Sequence, residues 1–231
     1  MSSLEDYINA IDILVPGDNL PLLEDAKTKA VTKALVLHSK HRPRKVVEDV
    51  AGDGGFDYAL SDLEEWVDDF SRVLDVEYPV DDTSPSPNTL DQDDWIVYEK
   101  PTGMVLRFAS DTPDATEDMR ITYTTVHTFV EEVSTVAAQD DEAVQALAAS
   151  FFCRMLAAYY AQNQDSTLAA DSVDHKSKRD QYEAQAAKYR KEYDEHLGNL
   201  DGKPRPACAI QDQDVDYPFG TDRLTHPRRW R

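Results

Sequence analysis

Apolar positions near the start of the chain recur at helical spacing. Leu4, Tyr7, Ile8 and Ile11 fall on one side of a helix predicted over residues 2–14. It opens with Ser2-Ser3-Leu4-Glu5, a pattern in which a Ser hydroxyl and a Glu carboxylate satisfy free amides of the first turn. Pro16-Gly17 ends it. A second helix is predicted from Pro21, where a missing amide hydrogen costs nothing, to about Lys40, with Leu22, Leu23, Ala26, Ala30, Ala34 and Leu37 as its apolar side. Beyond His41-Arg42-Pro43 the period shortens towards two. Lys45-Val46-Val47, the punctuation Gly52-Asp53-Gly54-Gly55 and residues 56–60 read as a β-hairpin. Leu63, Trp66, Val67 and Phe70 share one face of a short helical turn, and Val73, Leu74, Val76 and Tyr78 are extended. Residues 81–94, with Pro85 and Pro87, form a loop.

The clearest β signal follows: strands at 95–99 and 104–108 around the turn Pro101-Thr102-Gly103, then an alternating strand at 119–126 after a polar loop at 110–118. Helical spacing returns at about residue 138. Asp140, Asp141 and Glu142 sit in a first turn, where the helix dipole favours acids; Val144, Leu147, Ala148, Phe151, Met155, Leu156 and Tyr159 continue the stripe. Ala146, Ala149, Ala157, Ala158 and Ala161 keep the rest of that helix small, so it packs on more than one side. A charged helix over 174–197 carries the stripe Tyr182, Ala186, Tyr189, Tyr193 and Leu197 and stops at Gly198. The expected architecture is mainly α. A small helical bundle, from residues 1–43 and 131–200, carries a β-rich acidic insertion at 44–130 and an extended C-terminal arm at 201–231.

Charge sharpens this picture. The 231 residues hold 45 Asp and Glu against 24 Lys and Arg, a formal net charge of −21, while 41% of the residues are hydrophobic. Such a chain repels phosphate backbones yet keeps enough apolar content for a core. Residues 48–94 contain sixteen acids and a single base, Arg72, whereas residues 218–231 carry Arg223, Arg228, Arg229 and Arg231 against Asp222. Phe219, Trp230 and those arginines are residue types enriched as interface anchors, so the arm is read as a protein-docking segment. No run approaches the roughly 18 apolar residues of a membrane span, and residues 1–6 lack the features of a signal peptide, which predicts synthesis in cytoplasm and no membrane partner. Cys153 and Cys208, far apart, read as reduced thiols.

No motif supports catalysis, a cofactor or a metal. Asp212, Asp214 and Asp216 open like a calcium loop, but Tyr217 replaces the glycine the turn needs and Arg223 stands where the bidentate Glu belongs. The Gly52–Gly55 run lacks the Lys-Ser/Thr and following helix of a phosphate cradle. His38, His41, His127, His175, His196 and His226 are scattered without metal-ligand spacing and read as surface or packing residues.

Residues 146–162 and Asp165-Ser166-Thr167-Leu168-Ala169-Ala170-Asp171-Ser172-Val173-Asp174-His175-Lys176-Ser177-Lys178 resemble the C-terminal half of tailed-bacteriophage head-to-tail connector, or adaptor, proteins. The likeness is most specific over 140–197, and residues 95–125 resemble the β part of longer members. It implies a virion structural protein without catalytic residues, forming a ring, commonly of twelve copies, beneath the portal and linking the capsid to the tail or next head-completion ring. DNA would pass through the ring without specific binding. By the same implication Phe219, Arg223, Arg228, Arg229, Trp230 and Arg231 dock on the portal protein, and Tyr182, Tyr189 and Tyr193 on the charged helix contact a neighbouring subunit. The competing expectation is a non-viral acidic helical module whose tyrosines pack on a helical partner.

Overall fold

A computed structural model of the chain describes residues 2–16, 24–109, 112–162 and 178–198. Four helices and eight strands lie within them. Helix α1 (Leu4–Leu14) is capped by Ser3, whose Oγ accepts from the Asp6 N–H at 3.1 Å while the Asp6 carboxylate accepts from the Ser3 N–H at 2.8 Å. The capping box therefore lies one residue later than the Ser2/Glu5 pair, because Ser2 is used elsewhere: its hydroxyl donates to Asp141. Helix α2 spans Glu24–His41; its expected start at Pro21 falls outside the described residues. Helices α3 (Asp141–Gln162) and α4 (Lys178–His196) follow the strands. Gly198 closes α4 at φ 77°, its N–H donating to the Glu195 carbonyl at 2.9 Å.

Helix α3 packs against α1, α2 and α4, which explains its composition: Ala143, Ala146, Ala149 and Ala157 are buried along with Val144, Leu147, Phe152 and Leu156. Small residues let the backbones approach, and Ser150 Oγ donates across to the Ala186 carbonyl at 2.9 Å. Tyr7 and Ile11 of α1 and Ala30, Val31, Ala34 and Leu35 of α2 complete this core.

The middle of the chain has a core of its own. Strands β1 (Arg44–Ala51), β2 (Asp57–Ala59), β3 (Val73–Glu77), β4 (Trp95–Lys100), β5 (Gly103–Phe108) and β6 (Asp118–Thr125) form two antiparallel three-stranded sheets, ordered β1-β6-β3 and β2-β5-β4. Their inner faces close on Tyr58, Leu60, Leu106, Phe108, Met119, Ile121 and Tyr123. Strands β7 (Phe129–Val130) and β8 (Val133–Ser134) make a short third sheet, which the Ser134 N–H joins to the Ser2 carbonyl at 2.9 Å.

The architecture is therefore not mainly α. It is α+β, four helices beside eight strands in three antiparallel sheets, because the acidic middle segment buries a second hydrophobic cluster instead of hanging from the bundle as an appendage. Residues 45–60 also do not form a hairpin. β1 pairs with β6 and β2 with β5, so the glycine run carries the chain from one sheet to the other. Local alternation fixes which residues face inward but not which strand lies alongside. Leu63 to Phe70 lie in turns after a single 3-10 turn at Leu60–Asp62, whereas the β4–β5 hairpin closes where its sequence predicts, Lys100 opposite Gly103.

The crossing at Gly52 is tight. A Cβ there would lie 2.2 Å from the Asp114 carbonyl oxygen and 2.6 Å from that of Pro113, the first held by the Glu117 N–H at 3.1 Å and the second by the Gly54 N–H at 2.8 Å. Gly52→Ala is expected to lower stability by about 1–3 kcal/mol in a urea titration, and Asp53→Ala, which gives up only an exposed hydrogen bond from the Gly55 N–H at 2.7 Å, by less than about 1 kcal/mol; equal effects would contradict the close approach.

Candidate functional site

Of the residues singled out on α4, Tyr189 and Tyr193 lie inside the chain and Tyr182 is half-buried. Tyr193 is fully buried and Tyr189 nearly so, with the Tyr189 hydroxyl donating to the Leu14 carbonyl. Tyr182 stacks on Tyr160 of α3 at 5.6 Å and 7°. The exposed side of α4 carries the pairs Arg179–Glu183, Lys188–Glu192 and Lys191–Glu195, each one turn apart. Phe219, Arg223, Arg228, Arg229, Trp230 and Arg231 lie outside the described residues, as do Asp212, Asp214, Asp216, His175 and His226.

Tyr193 leads to a dense polar constellation among the described residues, at the corner where α2 and α4 end and α3 begins. Asp140, immediately before α3, is buried. Its carboxylate accepts from Arg42 beyond the end of α2 and from His196 Nε2 at 2.7 Å in the last turn of α4. His38, one turn back on α2, is 1% exposed; its Nε2 lies 3.8 Å from the other Asp140 oxygen, too long for a hydrogen bond, and has no other partner among the described residues. Its Nδ1 lies 3.2 Å from the Tyr193 hydroxyl. The neutral tautomer with its proton on Nε2 suits both neighbours: Tyr193 donates to Nδ1, and the Nε2–H is turned towards Asp140.

The β portion enters the same corner. His127, following β6, stacks at a tilt on His38 with ring centroids 5.2 Å apart. Its Nε2 donates to the Arg42 carbonyl at 2.9 Å, Thr135 Oγ1 sits 3.2 Å from Nδ1, and its backbone N–H donates to Ser39 Oγ at 2.8 Å. Ser39 in turn donates to the Leu35 carbonyl at 2.7 Å. One ring therefore bonds the exit of the sandwich to the last turn of α2.

Electrostatics follow from burial. Loss of solvent holds His38 down at about 4, with His127, Arg42 and His41 adding to that and Asp140 opposing it. Burial pushes the Asp140 carboxyl up, but the hydrogen bonds from His196 and Arg42 outweigh it and leave the group below its ordinary value. Burial likewise raises the Tyr193 hydroxyl, which stays a donor, and raises the Cys153 thiol to about 12, which makes it inert as a nucleophile. No group of three or more His, Cys, Asp or Glu among the described residues is placed to hold a metal ion. Chemically the corner is a clasp between elements.

Sequence reasoning treated the histidines as scattered. The signal available was the pairing of a basic last turn, His38 to Arg42, with the acidic start of α3, since helix ends of opposite sign attract opposite charges.

The sandwich surface follows the same economy of cations. Arg120 on β6 holds Asp49 at 2.7 Å, Asp82 at 3.2 Å and Glu77 at 3.5 Å. Asp57 on β2 takes both Lys100 and Arg107, whose hydrogen bonds hold its carboxyl well below the usual carboxylate range. No helix among the described residues is long and apolar enough to cross a membrane. No protein-family model matches the chain, and no curated protein matches it.

His38 sets a pH window. Its folded value near 4 lies below its ordinary 6.5, so the unfolded chain binds the extra proton between them and stability falls as pH drops from 6.5 towards 4. The full loss is about 3 kcal/mol at 1.36 kcal/mol per unit. His38→Gln should flatten the dependence of chemical denaturation on pH in that window, and an unchanged slope would contradict a buried neutral His38. Asp140→Asn leaves Arg42 and His196 without their anion and is expected to cost roughly 3 kcal/mol at pH 7, measured the same way; a loss below about 0.5 kcal/mol, the level of an ordinary surface change, would contradict the clasp.

Proposed function

We propose that the chain is a structural subunit of a tailed-phage head-to-tail connector, assembling as a ring beneath a portal and docking on it through residues 202–231. The observation that carries this reading is the position of the connector-like stretch. Residues 141–162 form the central helix of the bundle, and 178–196 the helix packed most extensively on it, so the resemblance falls on the part of the chain that organises the rest.

Charge and architecture support the reading. A ring of subunits at −21 each presents a strongly negative field, and phosphate backbones slide past such a surface without binding. The acids concentrate on the sandwich, where Arg44, Lys100, Arg107 and Arg120 are each tied to one or more carboxylates. The interior of the bundle is filled by its own side chains, which suits a scaffold that works by contact.

The test is negative-stain imaging of purified portal rings from a matching tailed phage, alone and mixed with this protein. Added ring density at the portal exit is the expected result; no association at any salt concentration would overturn the connector reading. A chain lacking residues 202–231 should still unfold cooperatively, as a folded bundle does, and lose portal binding, and undiminished binding would overturn the role given to the arm.

A further inference from the structure

Strand β4 is an edge strand: it pairs with β5 on one side, and no described residue hydrogen-bonds to its backbone on the other. The charges near this edge, Asp94, Glu99 and Lys100, sit at its two ends and leave its middle apolar. There is no proline or bulge within Trp95–Lys100, and Ile96 and Tyr98 are 57% and 46% exposed.

The hydrogen-bond parity of this edge is fixed. The Ala109 N–H donates to the Asp94 carbonyl at 2.8 Å, so Asp94, Ile96, Tyr98 and Lys100 turn their backbone groups towards β5 while Trp95, Val97 and Glu99 turn theirs outward. A second strand must then place its own outward residues opposite these three. Antiparallel pairing of β4 with β4 of another copy, centred on Val97, does so along its length: Val97 meets Val97, and Trp95 meets Glu99 twice.

The same register makes the intervening row self-complementary. On the outer face Ile96 lies opposite Tyr98 twice, and Asp94 opposite Lys100 twice, one apolar pair and one opposite-charge pair on each side of the two-fold axis. Lys100 is shared with Asp57 of its own chain. From this charge and side-chain complementarity we infer that β4 is the contact through which two copies of the free protein pair, joining their β2-β5-β4 sheets into one six-stranded sheet. The contact is isologous and stops at two copies, so it is separate from ring formation and does not rest on the connector reading.

Light scattering on the full chain tests it. The expected species has twice the 26.1 kDa chain mass, and its fraction rises with salt, because screening weakens the repulsion between two strongly acidic chains. Val97→Pro removes an outward donor that β5 does not use, and is expected to give a monomer with unchanged circular dichroism. Register is read by oxidation in a Cys208→Ser background: Ile96→Cys chains mixed with Tyr98→Cys chains should cross-link several-fold more than either alone, since 96 faces 98 and not itself. A monomeric wild-type chain, a dimer indifferent to Val97→Pro, or single variants that cross-link as well as the mixture would each overturn the pairing.

Discussion

A single buried carboxylate sets the geometry of this molecule. Asp140 stands at the start of α3, where the helix dipole is positive, and gathers Arg42 and His196 from the ends of α2 and α4, where it is negative. The acid at the start of α3 and the base beyond α2 thereby complement their helix ends, and a ring N–H at the end of α4 joins them at the same point. Burying the carboxylate is costly, and its two charge-assisted hydrogen bonds offset that cost only while α2, α3 and α4 hold their relative positions. His38 beneath it, neutral and bonded to Tyr193, makes the arrangement dependent on pH. His127 and Ser39 extend it to the strands, so the bundle and the sandwich share one joint.

Much of this was legible in the sequence where the signal is local. The helices at α1, α3 and α4, the β4–β5 hairpin and the Gly198 stop follow from periodicity and turn chemistry within a few residues. What was not legible depends on distance along the chain. Val46 and Val47 announce a strand, but that its partner is the far strand β6 and not residues 56–60 is decided by which faces bury together. The mainly α expectation failed for the same reason, since short strands show their worth only when two sheets close on Tyr58, Phe108 and Ile121. Asp140, His38 and His196 could not be grouped by spacing, because folding alone brings them together. The tyrosine stripe of α4 was legible as a stripe, but sequence does not tell an inward face from one that waits for a partner.

The division of labour between the halves bears on function. Helix α3 spends nearly all its circumference on its neighbours, which leaves little of the bundle interior for chemistry and much for rigidity. The sandwich meets solvent with carboxylates that outnumber their cations, a surface that repels phosphate backbones. On the connector reading proposed above, a rigid bundle, an acidic module and a basic C-terminal segment would serve assembly through contacts with other chains.

The central claim is that the joint at Asp140, His38 and His127 makes one cooperative unit of the bundle and the sandwich. Native-state hydrogen exchange of the intact chain at pH 7 tests it most directly, by comparing the amides of α2 from Leu35 to His41 with those of β6 at Ile121 and Tyr123. The account predicts that both sets open with the same free energy and the same dependence on denaturant. Sandwich amides that exchange through a separate opening of clearly lower free energy, with those of α2 still protected, would contradict it.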